Sequence, residues 1–306
     1  MAHDNREGAM AGARFVDPKI LSRIGNLELL ARTVVDGFIN GLHRAPFFGA
    51  SIDFAEHRGY TPGDDIRRVD WRVYARTDRY YVKQYEADTN SNFVALLDVS
   101  KSMGFASQGV SKLEYGSFLA ACLAYLSHRQ RDRVGIVTFD QDVVSYVPPS
   151  AKHFNVLLQT LDRARPERPG RMLAPLDRIA EHFKRKSIVA LISDFYENPD
   201  DVIEALKPYR FHGNDVVVFH VLDPAEIEFP YSEASRFEDL ESGEEIPVVP
   251  STFADEYRRM IRAHIEALTA RFSEARIDYV LLNTSKPLDE ALFMYLGNRE
   301  RLMKVR

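Results

Sequence analysis

From residue 92 onward the chain carries short, almost continuously apolar runs: FVALLDVS (93–100), RVGIVTF (133–139), SIVALISDF (187–195), DVVVFHVL (215–222) and YVLLNTS (279–285). Runs this short and this uniformly apolar fit strands buried on both faces of a parallel sheet. Between most of them the apolar spacing becomes helical. Tyr115, Phe118, Leu119, Cys122 and Leu126 fall on one face, with Ser111 and Glu114 as a capping box ahead of them. Further helices are predicted over 152–163, 174–184, 200–209, 253–273 and 288–303. QDVVSYVPP (141–149) alternates and follows its neighbour by a tight turn, which predicts an antiparallel edge strand. RFEDLESGEEIPVV, with Ser-Gly between two alternating arms, predicts a hairpin.

The first ninety residues read differently. Residues 1–13 have no periodicity and predict a disordered tail. Within 17–40, Ile20, Leu21, Ile24, Leu27, Leu30, Ala31, Val34 and Phe38 are spaced for one helix face. Thr61-Pro62-Gly63-Asp64 is a turn signal inside a dense Arg/Asp block. The organisation expected is a tail (1–13), a helical segment (14–43), an Arg/Asp-rich β-containing module (44–91) and an α/β domain (92–306) with a hairpin insertion near 231–250. Strands alternating with helices predict a doubly wound, mostly parallel sheet flanked by helices, beside the smaller N-terminal module.

Composition narrows the function classes. The 306 residues are 45% hydrophobic and 28% charged, as in a globular protein of one large or two medium domains. A net charge of −5, from 40 basic and 45 acidic side chains, argues against a nucleic-acid partner. No apolar run approaches the ~20 residues of a membrane-spanning segment. The polar start MAHDNREGAM lacks a signal-peptide core. The single Cys122 excludes an internal disulfide and a Cys-based zinc site, and its place on an apolar helix face predicts a buried structural thiol. Together these features predict a cytoplasmic protein. Arg58, Arg67, Arg68, Arg72, Arg76 and Arg79 stand beside Glu56, Asp64, Asp65, Asp70 and Asp78, so the block is near charge balance and suits internal bonding or protein docking better than nucleic acid.

In doubly wound sheets, sites form at the carboxyl ends of strands beside the switch in strand order. Asp98 and Asp194 each end a predicted strand, and Ser100 and Ser102 follow the first at alternate positions. Hydroxyls and carboxylates suit a hard cation such as Mg²⁺, with Ser100 and Ser102 as direct ligands and Asp98 and Asp194 holding its waters. Such a shell is short of negative charge and can accept a partner's carboxylate. The plainer reading is that Asp98 and the serines cap the strand end and bond to loop backbone.

Asp98-x-Ser100-x-Ser102 followed by Met103-Gly104, with Ser193-Asp194 after a later strand, resembles the metal-ion-dependent adhesion site of von Willebrand factor A-type (vWA) domains. The block from Arg58 to Arg76 (RGYTPGDDIRRVDWRVYAR), the stretch FEDLESGE (237–244) and RIDYVLLNTS (276–285) resemble the family called domain of unknown function 58. That resemblance implies a non-enzymatic protein-binding adaptor paired with a MoxR-type AAA+ ATPase, in chaperone-like assembly or cofactor insertion. The adhesion site has a third direct ligand, a Thr after a Gly. Here Gly170 is followed by Arg171 and Met172. Either Arg171 reaches the two carboxylates and replaces the metal electrostatically, weakening Mg²⁺ binding, or it points to solvent and a water fills the Thr position. An enzymatic alternative rests on Asp98 as the nucleophile of a metal-dependent, haloacid-dehalogenase-type phosphatase, although those enzymes want an Asp where this chain has Ser100. No G-x-x-x-x-G-K-[ST], G-x-S-x-G or G-x-G-x-x-G motif occurs.

Overall fold

The computed structural model describes residues 17–44, 56–59, 71–84, 91–183, 186–240 and 242–304. The expected 1–13 tail and the Thr61–Asp64 turn lie outside the described residues. The chain divides into two compact units, one holding Asp36–Asn90 and the other holding Phe15–Val35 with Ser91–Arg306.

Helices α1 (Pro18–Leu21) and α2 (Leu27–Arg44) replace the single helix expected from the periodicity over 17–40. The break follows from local chemistry. Asn26 accepts the Leu29 N–H at 2.9 Å and so starts a new helix just after Gly25. Leu21, Leu30, Ala31 and Val34 are buried on either side of it, which is why the apolar spacing runs through the break. In the smaller unit, β1 (Glu56–Gly59) pairs antiparallel with β2 (Tyr81–Gln84) around α3 (Trp71–Thr77). Tyr74 and Tyr80 stack there with ring centroids 4.5 Å apart.

The larger unit is built on a six-stranded sheet. Its elements run β3 (Asn92–Asp98), α4 (Lys112–Arg129), β4 (Arg133–Phe139), β5 (Val143–Ser150), α5 (Phe154–Arg163), α6 (Leu173–Ala180), β6 (Ser187–Ser193), α7 (Pro199–Phe211), β7 (Asp215–Leu222), α8 (Pro224–Glu228), a β8 (Ser235–Glu238)–β9 (Glu245–Val248) hairpin, α9 (Pro250–Glu274), β10 (Asp278–Asn283) and α10 (Asp289–Lys304). The strand order is β10-β7-β6-β3-β4-β5. All neighbours are parallel except β4 and the antiparallel edge strand β5. The expected doubly wound, mostly parallel α/β sheet flanked by helices is thus present. Its order reverses between β3 and β6, because the chain goes from β3 outward one way to β5 and then returns to the other side.

Strand alternation decides which residues meet which helical layer. Val94 and Leu96 of β3 face a core with Val189 and Leu191 of β6, Leu176 of α6, Leu206 of α7 and Phe272 of α9. Phe93 points the other way, and its ring meets Tyr295 of α10 edge-on at 5.8 Å. Tyr295 in turn shares a 2.7 Å hydrogen bond with Ser127 of α4. Cys122 is buried in α4, and burial pushes its thiol well above the ordinary value, so it packs as an inert small apolar group. The short α8 is absent from the sequence reading, although Asp223-Pro224 with Glu226 is a capping-box signature that the structure uses.

The β4–β5 pairing shifts register between Val134 and Ile136, and Gly135 sits at the shift. A Cβ there would lie 2.7 Å from the Val147 carbonyl oxygen and 2.9 Å from the Pro149 nitrogen, both backbone atoms that cannot rotate away. Gly135→Ala is therefore expected to destabilise the unit by about 1–3 kcal/mol, the usual cost of overpacking. A denaturant midpoint unchanged from wild type would contradict that close approach.

Candidate functional site

Four neighbouring strands deliver an aspartate to the same rim of the sheet. Asp98 ends β3, and Asp140, Asp194 and Asp223 directly follow β4, β6 and β7. Three of them close a local turn onto the backbone two residues on. Asp98 Oδ1 accepts the Ser100 N–H at 2.8 Å, Asp140 Oδ1 accepts Asp142 N–H at 2.9 Å, and Asp223 Oδ1 accepts Ala225 N–H at 2.8 Å. The plain capping role weighed for Asp98 is real and coexists with its place at the switch point.

Ser100 and Ser102 flank the first step of a 3₁₀ turn over Lys101–Gly104, and their hydroxyl oxygens stand 3.1 Å apart. A loop ahead of α6 presses onto that turn. Lys101 N–H donates to the Arg168 carbonyl at 2.9 Å. A Cβ on Gly170 would lie 2.7 Å from Ser100 Cβ and 3.1 Å from Ser100 Oγ, so the approach requires glycine. Arg168 Nε holds Asp140 Oδ2 at 2.9 Å.

Asp98 and Asp194 converge as the strand-end argument requires, on adjacent strands and both buried. The second Asp98 oxygen accepts the Ser193 hydroxyl at 2.6 Å, and Ser193 Oγ accepts the Phe195 N–H at 3.2 Å. Burial, and then the Asp194 carboxylate, push Asp98 up to about 7, against the pull of these hydrogen bonds.

The cation beside Asp194 is one that the sequence reading missed. Lys112 Nζ lies 2.7 Å from Asp194 Oδ2 and 2.6 Å from Glu226 Oε1, and the lysine has no exposed surface. Its ammonium sits 4.9 Å from the centroid of the Tyr196 ring. Burial alone would lower the Lys112 pKa, but the two carboxylates outweigh it and raise it, so the lysine is charged. Arg171, the cation proposed from sequence, is exposed, and its own N–H donates to the Asp140 carbonyl at 3.3 Å. Among the described residues its side chain makes no ion pair with Asp98 or Asp194. One signal for Lys112 did exist. It occupies the first position of α4, behind the Ser111 cap, where the helix dipole disfavours a positive charge.

Nearby, His220 of β7 bonds through Nδ1 to the Tyr279 hydroxyl at 2.7 Å, and burial lowers it to about 3, so it is neutral. Among the described residues no group of three or more His, Cys, Asp and Glu side chains is placed to hold a metal. Any cation here would depend on the serine hydroxyls.

Comparison with known proteins places the chain in a family. Residues 56–273 match the family described as "Protein of unknown function DUF58", and the chain belongs to it. The chain is 29% identical over 295 residues to Uncharacterized protein Rv1480 of Mycobacterium tuberculosis, covering 93% of this chain and 91% of that one. The same figures hold for Uncharacterized protein Mb1516 of Mycobacterium bovis. Among solved structures, the conserved hypothetical protein BatB from Bacteroides thetaiotaomicron is similar with a TM-score of 0.48 and 17% identity, covering 69% of this chain and 99% of that one. An aerotolerance-related membrane protein from Bacteroides fragilis gives a TM-score of 0.47 with the same identity and coverage. At that similarity nothing about their roles transfers.

The raised Asp98 carboxyl has a stability consequence. The folded protein holds this proton up to about pH 7, whereas the reference value is 3.8. The folded state therefore binds more protons between these pH values, and stability falls as pH rises through the interval. Asp98→Asn removes that penalty. In chelator, its melting temperature relative to wild type is expected to climb from pH 5 to pH 8, measured in steps of about one unit across the window. A difference that stays flat with pH would contradict the assignment.

Proposed function

We propose that this protein is a non-enzymatic, vWA-like protein-binding adaptor that captures an acidic segment of a partner at the Asp98–Ser102/Asp194 rim. The observation that carries this reading is the Ser100–Ser102 hydroxyl pair at the switch point, beside the buried Asp98 carboxyl. Their 3.1 Å separation is close to the ~3 Å edge of an octahedron with Mg–O bonds of about 2.1 Å. Ser100 and Ser102 would hold Mg²⁺ directly, Asp98 would hold its waters, and a water would take the place where the adhesion site has Thr. The ion would supply an electrophilic point that a partner carboxylate completes.

The surroundings favour an acidic partner. Arg165, Arg168 and Arg171 are exposed on the loop that packs against the serine turn and outnumber its one exposed acid, Glu167, although Arg168 also pairs with Asp140. Family membership supports a MoxR-type AAA+ ATPase as the partner and chaperone-like assembly or cofactor insertion as the process. A cytoplasmic location goes with that partner. No described helix is long and apolar enough to cross a membrane.

The phosphatase reading is weaker on one specific observation. Burial and the Asp194 carboxylate keep Asp98 protonated up to about pH 7, and a protonated carboxyl is a poor nucleophile.

Binding of purified MoxR-type ATPase, from the same genome, tests the reading. Wild type in Mg²⁺ is expected to bind at least about tenfold more tightly than Ser102→Ala or than wild type in chelator. Equal binding by all three would remove the rim from the interface. Phosphoester turnover that disappears in Asp98→Asn would replace the adaptor reading with the enzymatic one.

A further inference from the structure

We propose that Lys112 is a tethered cation that withholds Asp194 from a bound metal and thereby sets the affinity of the rim for divalent ions. The proposal rests on the cation-binding reading of the same rim.

The lysine stands where ordinary rules would not put it. It opens α4, at the positive end of the helix dipole, and it is fully buried. A buried charge in that place persists only where its partners are held for it. Both partners are held. Asp194 follows directly from β6. Glu226 is fixed by its second oxygen, which accepts the Asp223 N–H at 2.8 Å, leaving Oε1 for Lys112 at 2.6 Å. Asp223 is in turn tied to the loop before α4 by the Ser107 N–H at 2.9 Å. The Tyr196 ring, 4.9 Å from the ammonium, covers it.

The charge count gives the consequence. Asp98, Asp194 and Glu226 with Lys112 sum to −3 + 1 = −2 when all are ionised. Two of the three negative charges are paired with the lysine. A divalent ion on Ser100 and Ser102 therefore meets Asp98 as its main protein counter-charge, binds weakly on its own, and keeps enough positive charge to demand a carboxylate from outside. Freeing Asp194 would tighten the ion and reduce that demand.

Mg²⁺ titration by calorimetry and melting in chelator or Mg²⁺ test this on four proteins: wild type, Lys112→Met, Lys112→Arg and Lys112→Met/Glu226→Gln. The double variant removes the stranded Glu226 charge and serves if the single Met variant does not fold. The Met variants are expected to bind Mg²⁺ at least about tenfold more tightly than wild type, and to lose in chelator a stability that Mg²⁺ restores. Lys112→Arg keeps the charge and is expected to behave as wild type, which a merely structural role for the lysine stem would not produce. Variants that bind Mg²⁺ no more tightly than a wild type that does bind it overturn the role of Lys112 and leave the cation reading intact. Binding by the Met variants alone supports the withholding role of Lys112 and overturns Mg²⁺ as the ion of the native rim. Absence of binding in all four overturns both.

Discussion

A charged lysine with no exposed surface, gripped by Asp194 and Glu226, is the interaction around which the functional rim is arranged. A buried ammonium is stable only while its carboxylates stay in place, and removing one partner of such a pair typically costs about 3–5 kcal/mol. The pair therefore pins the start of α4 to the strand end after β6 and to the short α8. These three elements come from distant parts of the sequence. They meet because the sheet reverses its strand order between β3 and β6 and leaves a crevice there.

Within that crevice, structural and functional demands fall on the same side chains. Asp98 closes the turn after β3, as Asp140 and Asp223 do after their own strands. It differs from Asp140 in having no ion-pair partner among the described residues. Asp140 has Arg168, whereas burial and the neighbouring Asp194 carboxylate keep the Asp98 proton on to about pH 7 even though its hydrogen bonds favour the charged form. An incoming cation would compete with that proton. The two serine hydroxyls are the oxygens best spaced to share such an ion with solvent.

Much of this was readable before any coordinates. Strands buried on both faces must be apolar throughout, so β3, β4, β6 and β7 announced themselves as uninterrupted runs, and the alternation in β5 marked it as an edge. The strand-end rule then brought Asp98 and Asp194 to one rim. Lys112 was not readable in the same way, because the burial of a helix-opening lysine depends on Glu226 and Tyr196, more than 80 residues away in sequence. Arg171 drew attention by its place next to Gly170, but the loop turns its side chain outward while its backbone bonds to Asp140. The break between α1 and α2 was hidden for the opposite reason. Apolar spacing records which face is buried, and both helices bury theirs, so only the Asn26 cap marked the boundary.

The most direct measurement is the ¹H–¹⁵N signal of the Lys112 ammonium in solution. An exposed lysine loses its ammonium signal to proton exchange with water as pH rises above neutral, whereas one held by two carboxylates and shielded by Tyr196 does not. A lysine ammonium resonance is expected to survive at pH 8 and to disappear in Lys112→Arg. A spectrum in which no lysine ammonium assignable to Lys112 is protected at that pH would contradict it.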